Sequence, residues 1–162
     1  TGTHVDAPLH MIADGKTMKD LPIEKMISPC RVVDVTEVLG GITKEDLKDK
    51  GIQKGEFVLL KTKNSFSDSF DFEFIYLERT GAAYLTELGI NGVGIDGLGI
   101  ERAQNDYATH RTLLGADIPI IEGLRLKNAP DGEYILVALP VSIPEAEAAP
   151  LRAVLLEKGE RI

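Results

Sequence analysis

The chain has 162 residues, 43% of them hydrophobic and 27% charged, the balance of an ordinary globular protein long enough to bury a sizeable core in a single domain. Its formal net charge of −8 and pI near 4.9 argue against nucleic acid or an anionic membrane surface as partner, since both select basic patches. No apolar run approaches the roughly 20 residues of a membrane span, and the single Cys30 excludes an internal disulfide, which fits a reducing cytoplasm.

Taken in order, the chain opens on an extended segment that bends at Pro8. Residues 11–19 read as loop, and residues 21–27 as one or two helical turns with Pro22 at an early position. β-branched alternation over residues 31–36 predicts a strand, with Cys30 as an inert buried thiol just before it. Residues 43–50 predict a short helix, capped by Thr43, favoured by Asp46 in its first turn and stopped by Gly51. Residues 56–62 predict a strand, and the polar, Ser-rich residues 64–71 a loop. Residues 80–88 predict a helix closed by Gly89, residues 92–96 a short buried strand, and residues 105–114 a helix with Asp106 as cap and Gly115 beyond its end. Further strands are expected at residues 118–121, leading into Glu122, and at residues 133–139 and 153–156. Strands alternating with short helices imply an α/β domain with a largely parallel or mixed sheet, and the spacing leaves its topology open.

Two of the three histidines fall in Thr1-Gly-Thr-His4-Val-Asp6-Ala-Pro8-Leu-His10. His4 and Asp6 are two apart, so on an extended segment both point to one side, and an imidazole converging with a carboxylate is what a divalent metal needs. His10 follows after a short bend, near enough to face the same cavity. The third, His110, precedes Glu122 in the run Ile120-Ile-Glu122-Gly-Leu. A carboxylate in an apolar strand is costly unless it is paired or binds a metal. Taken singly, these residues also have plainer readings. His4 and Asp6 suit a hydrogen-bonded loop pair, His110 a satisfied core histidine, and Glu122 a strand-end cap or ion-pair partner. Asn64 and Ser65 follow a strand C-terminus, where α/β ligands bind, and are candidate substrate contacts.

The first ten residues resemble the signature of the Putative cyclase family of metal-dependent hydrolases, which includes bacterial kynurenine formamidase and isatin hydrolase. His110-Arg-Thr-Leu-Leu114 and Glu122-Gly-Leu124 match the family's later motifs in type and spacing, Gly94-Ile-Asp96 resembles its Gly-Ile-Asp strand end, and residues 149–155 resemble its closing strand. The resemblance implies a swivelling β/β/α domain with a mixed, barrel-like sheet and short flanking helices. It also implies His4, Asp6, His110 and Glu122 as ligands of one or two divalent ions, zinc first and manganese second, with Asp6 able to bridge. His10 becomes the general acid/base for cleavage of a small amide, formamide or lactam. A homodimer or larger homo-oligomer follows by the same likeness. So does a further histidine immediately before Thr1, preceded by an upstream segment of some tens of residues. Asp96 is expected to be structural.

Two positions depart from the family pattern Gly-Ile-Asp-x-x-Ser-x-Asp. Gly99 stands in place of its Ser and Glu101 in place of its second Asp, so no role is carried over to either. With no Trp and 6% aromatic residues, composition gives no support for a pocket that stacks a kynurenine ring. The alternative of another class is an inactive binding or assembly module that keeps the fold.

Overall fold

The computed structural model describes residues 2–67, 69, 71–157 and 159. Its centre is β4 (Phe57–Lys61), buried at every position, as a strand covered on both faces must be. Parallel neighbours flank it, β2 (Ile27–Asp34) on one side and β6 (Gly92–Ile95) then β7 (Ile120–Glu122) on the other. Strand alternation sorts their side chains into two layers. Val33, Val58, Leu60, Val93 and Ile120 pack under helices α1 (Lys44–Leu47), α2 (Arg79–Leu88) and α3 (Ala108–Gly115), against Leu47, Ala82, Leu85, Leu113 and Leu114. Val32, Phe57, Leu59 and Ile121 face the opposite way, into a second cluster with Val5, Cys30, Leu136 and Ala149.

Antiparallel strands extend both edges. β8 (Gly132–Val137) lies against β2 and carries β10 (Val154–Glu157), while β1 (His4–Asp6) lies against β7 and carries β9 (Ala148–Pro150). The order is therefore β10-β8-β2-β4-β6-β7-β1-β9. β9 and β10 sit at opposite edges, yet only residues 151–153 connect them. Eight flat strands would hold their edges about 34 Å apart, and so short a connection reaches about 14 Å. The sheet must curl until its edges approach, and Pro140 and Leu151 form a bridge between the segments beside the seam. This is the mixed, barrel-like sheet with short flanking helices that the resemblance implied. A separate two-stranded parallel sheet joins β3 (Gly41–Ile42) to β5 (Tyr76–Leu77).

Three local expectations change. The strand expected at residues 31–36 runs instead from Ile27 to Asp34. Residues 27–29 pair only with β8, because pairing to β4 begins at Cys30, so the missing N–H of Pro29 leaves no bond unmade. The strand ends where the Asp34 carboxylate accepts both the backbone N–H and the hydroxyl of Thr36. The helix expected from residue 105 starts at Ala108, behind Tyr107 in the left-handed region (φ 52°) and without a side-chain cap from Asp106, which pairs with Arg79 at 3.1 Å instead. The closing strand of residues 149–155 is two strands on opposite edges, β9 and β10.

Gly92 lies opposite Phe57, and a methyl group there would sit 2.1 Å from Phe57 Cε2. Phe57 is fully buried and has nowhere to move. Gly92→Ala is expected to destabilise the fold by about 1–3 kcal/mol, read as a lowered urea midpoint with an unchanged slope.

Candidate metal centre

The β1–β7 register sets His4 opposite Glu122 and Asp6 opposite Ile120. Val5 and Ile121 turn into the inner cluster, so His4, Asp6 and Glu122 face the helical layer. α3 delivers His110 to that side. A 3-10 turn at Pro8–His10, where Pro8 ends the extended run, delivers His10, and the two rings lie 5.7 Å apart between centroids. His4 Nε2 is 3.5 Å from Asp6 Oδ1 and 3.4 Å from Glu122 Oε2, and His110 Nε2 is 3.3 Å from Glu122 Oε1. All five predicted residues thus meet in one place. Thr1, which opens the sequence motif, lies outside the described residues.

Two donor triads emerge, His4–Asp6–Glu122 and Asp6–His10–His110, each with its ligand atoms within 4.8 Å of one another. Asp6 belongs to both. Its side chain is fully buried, and neither oxygen has a hydrogen-bond partner among the described residues. Buried carboxylates are otherwise paired or metal-bound, so two bare oxygens among imidazoles fit a cation. The histidines are oriented to suit it. His4 Nδ1 donates to the Gly2 carbonyl at 3.0 Å, and His110 Nδ1 donates to Glu101 Oε1 at 2.5 Å. Each ring therefore turns Nε2 to the centre, the tautomer that an acceptor behind the ring imposes on metal-binding histidines. His10 Nδ1 bonds Glu147 Oε1 at 3.1 Å.

The hydrogen bond to Glu122 leads in raising the His4 pKa to about 9, against the effect of burial. Burial alone would lower that of His110, but Glu101 and Glu122 outweigh it and raise it to about 9. Burial would raise the Glu122 carboxyl, yet hydrogen bonds from His110 and His4 bring it down to about 2. Asp6 goes the other way. Burial and the neighbouring Glu122 charge lift it to about 6, despite the attraction of the three histidines.

Sequence reasoning missed two carboxylates here. Glu147 gave no signal. Glu101 was visible only as a departure from the family pattern, and it does two jobs. Oε1 accepts the backbone N–H and ring Nδ1–H of His110, while Oε2 accepts the backbone N–H of Thr109, so one side chain caps α3 and aims its histidine. Burial pushes its pKa up, but these bonds more than reverse that and hold it below the usual range. Glu101→Gln keeps an acceptor but removes the charge that holds His110, and we expect metal affinity to fall about 10- to 100-fold with the helix intact, measured by competition against a chelator dye and by circular dichroism.

Asn64 and Ser65, offered by sequence as substrate contacts, are already engaged. The Asn64 amide bonds both the N–H and the C=O of Ile75, and Ser65 Oγ donates to Asp96 at 2.6 Å and accepts from Leu126 N. Asp96 also accepts the N–H and hydroxyl of Thr62. Together they lock the loop after β4 to the end of β6, a structural role for Asp96.

Solved structures share this architecture. A potential metal-dependent hydrolase with cyclase activity superposes with a TM-score of 0.94 at 52% identity, over 96% of this chain and 77% of the other. An isatin hydrolase bound to the product analogue thioisatinate gives 0.81 at 25% identity, over 97% and 72%. The fold is that of a metal-dependent hydrolase, and the converging donors could hold a metal ion. Among curated sequences, the kynurenine formamidase of Salinibacter ruber is 37% identical over 158 residues, covering 96% of this chain and 74% of that protein. That of Sphingopyxis alaskensis is 35% identical over 163 residues, covering 96% and 76%. A family profile described as Putative cyclase matches residues 1–102, and the chain belongs to this family. It spans about three quarters of the length of these relatives. Among the described residues no helix is long and apolar enough to cross a membrane.

Proposed function

We propose that the protein hydrolyses the C–N bond of a small amide, formamide or lactam, using His4, Asp6, His110 and Glu122 to hold divalent metal, zinc before manganese. The observation that carries this reading is Asp6, whose carboxylate is shared by both donor triads and whose two buried oxygens have no hydrogen bond among the described residues. That sharing favours two ions over one. The relatives named for cleaving kynurenine formamide and isatin support the substrate class. A divalent cation bound there supplies Lewis acidity and lowers the pKa of water to about 7.

The chain's own groups do the remainder. Glu101 and the Gly2 carbonyl fix the His110 and His4 rings, and Asp6 and Glu122 bring the negative charge that a cation requires. Glu147 holds Nδ1 of His10, leaving Nε2 to take a proton from water and return it to the departing nitrogen. His10 also lies within ligand range of Asp6 and His110, so its two possible roles must be separated by experiment. Elemental analysis of the purified protein should find zinc or manganese. His10→Ala should lower turnover of formyl-amides about 10²- to 10⁴-fold while leaving metal content intact. Loss of metal would make His10 a ligand instead, and a metal-loaded protein inert towards formyl-amides and cyclic amides alike would refute the reading. We also read the protein as a homo-oligomer, for which light scattering showing a 17.6 kDa particle at micromolar concentration would be the contrary result.

A further inference from the structure

The helical layer covers one face of the curled sheet, where the donors converge. The opposite, inner face encloses space of its own. A cavity of about 650 Å³ lies there, within the range of roughly 300–1,000 Å³ typical of small-molecule sites. Its floor is Leu59 of β4, Leu136 of β8 and Leu124, all buried in the inner cluster. Its side is the stretch after β9, where Leu151, Ala153 and Leu155 pack on that cluster yet stay only partly buried. Leu155 stands opposite Leu136 in the β10–β8 register, so side and floor join at a paired strand. None of the five converging donors lines this cavity. Apolar side chains turned inwards and still in contact with water leave area that a ligand gains free energy by covering.

The lining says what kind of ligand. Tyr134 is the one aromatic side chain among the lining residues, and its hydroxyl is engaged by the Pro130 carbonyl at 3.0 Å. The apolar surface is otherwise aliphatic, which suits a flexible alkyl chain better than a flat ring. Arg125 and Arg152 both border the cavity and are exposed, which puts them at its mouth. Neither guanidinium has a hydrogen bond or ion pair among the described residues, whereas Arg31, Arg79 and Arg102 each pair with a carboxylate. In a chain with 26 acidic residues against 18 lysines and arginines, two unpaired arginines at one mouth are a local exception. Glu157 also borders the cavity, so its charged lining amounts to two positive charges against one negative.

We infer that this cavity is a second ligand site, built for an unbranched fatty acid. The alkyl chain lies over Leu59, Leu136 and Leu155. Its carboxylate accepts hydrogen bonds from Arg125 and Arg152, whose planar groups of N–H donors match carboxylate geometry. The site is separated from the metal centre by the sheet and stands whether or not the protein is a hydrolase.

Calorimetry of the purified full chain with decanoate, below its micellar concentration, tests this. Decanoate should bind about 10-fold more tightly than octanoate, the worth of two more buried methylenes. It should bind about 10- to 100-fold more tightly than decanol, which lacks the charge. Arg125→Ala combined with Arg152→Ala should bring decanoate down to the affinity of decanol, and Glu157→Gln should tighten it. Ala153→Phe, which puts a ring into the cavity, should abolish binding of both ligands while metal content and circular dichroism stay as in wild type. Wild type that binds no decanoate overturns the proposal. So does binding that is indifferent to chain length, or that survives both the arginine pair and Ala153→Phe. Light scattering tests the other occupant: if decanoate does not bind and Ala153→Phe turns an oligomer into a 17.6 kDa monomer, the cavity receives a second copy of the chain and the fatty acid site is refuted.

Discussion

Replacing Asp6 with Asn is expected to make the metal-free protein more stable and the enzyme nearly inert. The Asp6 carboxylate is fully buried without a hydrogen-bond partner among the described residues, and its pKa of about 6 says that the folded protein disfavours its charge. A carboxyl whose pKa is raised by folding costs nothing below its unfolded value near 4, and the full penalty above its folded value. Asn has the same shape, carries no charge, and offers an N–H to the neighbouring carboxylate. At pH 7 to 8, unfolding of chelator-treated Asp6→Asn in urea should report a gain of about 1–3 kcal/mol over wild type, vanishing below about pH 4. The same substitution removes the donor common to both triads, and turnover should fall by about 10³-fold or more, as losing the stabilisation supplied by a metal requires. A destabilised Asp6→Asn protein would mean that Asp6 has a partner in solution that the structure does not show.

The second expected result concerns the metal and the proton. His4 and His110 both have pKa values near 9 without metal, because Glu122, with Glu101 for His110, favours their charged forms. A metal needs the neutral ring, so each histidine must release its proton to bind one. Between pH 6.5 and 9, zinc affinity of the chelator-treated protein should therefore climb, by as much as about 100-fold per pH unit where both protons are displaced, and level off above pH 9. Calorimetry in two buffers of different ionisation enthalpy should count about two protons released at pH 7. Glu122, ionised above about pH 2, adds none, and Asp6 contributes only near and below pH 6. Stability of the metal-free protein should run oppositely. The histidine contribution is complete below pH 6.5 and lost as pH rises through 9, because these groups bind protons more tightly when folded. Zinc affinity that stays flat from pH 6.5 to 9 would overturn this account.

Most of the donor set could be read from the chain because strand alternation and spacing are local. His4 and Asp6 share a face whatever they pair with, and Glu122 stands out in an apolar run. The helix ending at Gly89 was equally plain, since Gly89 adopts the left-handed conformation (φ 75°) that closes α2. So was α1, whose Thr43 and Asp46 make the reciprocal capping box. What stayed hidden depends on partners distant in sequence. The early start of β2 at Ile27 was hidden, because residues 27–29 pair with β8 alone and β4 joins only at Cys30. β3 and β5, two residues each, carry no period at all. Glu147 means nothing until β9 is laid beside β1, where Ala7 N donates to its carbonyl and its side chain meets His10. Asp106 looked like the cap of α3 because it stands near the helix start, whereas Glu101, farther upstream, reaches back to the same N–H groups.

The strand order also fixes a schedule. β1 precedes the other described strands in the chain, yet among the described residues its sheet neighbours are β7 and β9, more than a hundred residues later. His4 and Asp6 therefore emerge from the ribosome well before Glu122, and their strand gains both flanks only once residue 150 has been made. Pairings of such long sequence separation close late and slow folding. The centre is accordingly assembled after the parallel strands β2, β4 and β6. A nascent chain holds β2, β4 and β6, which pair with one another over short separations, long before it holds a site able to retain an ion.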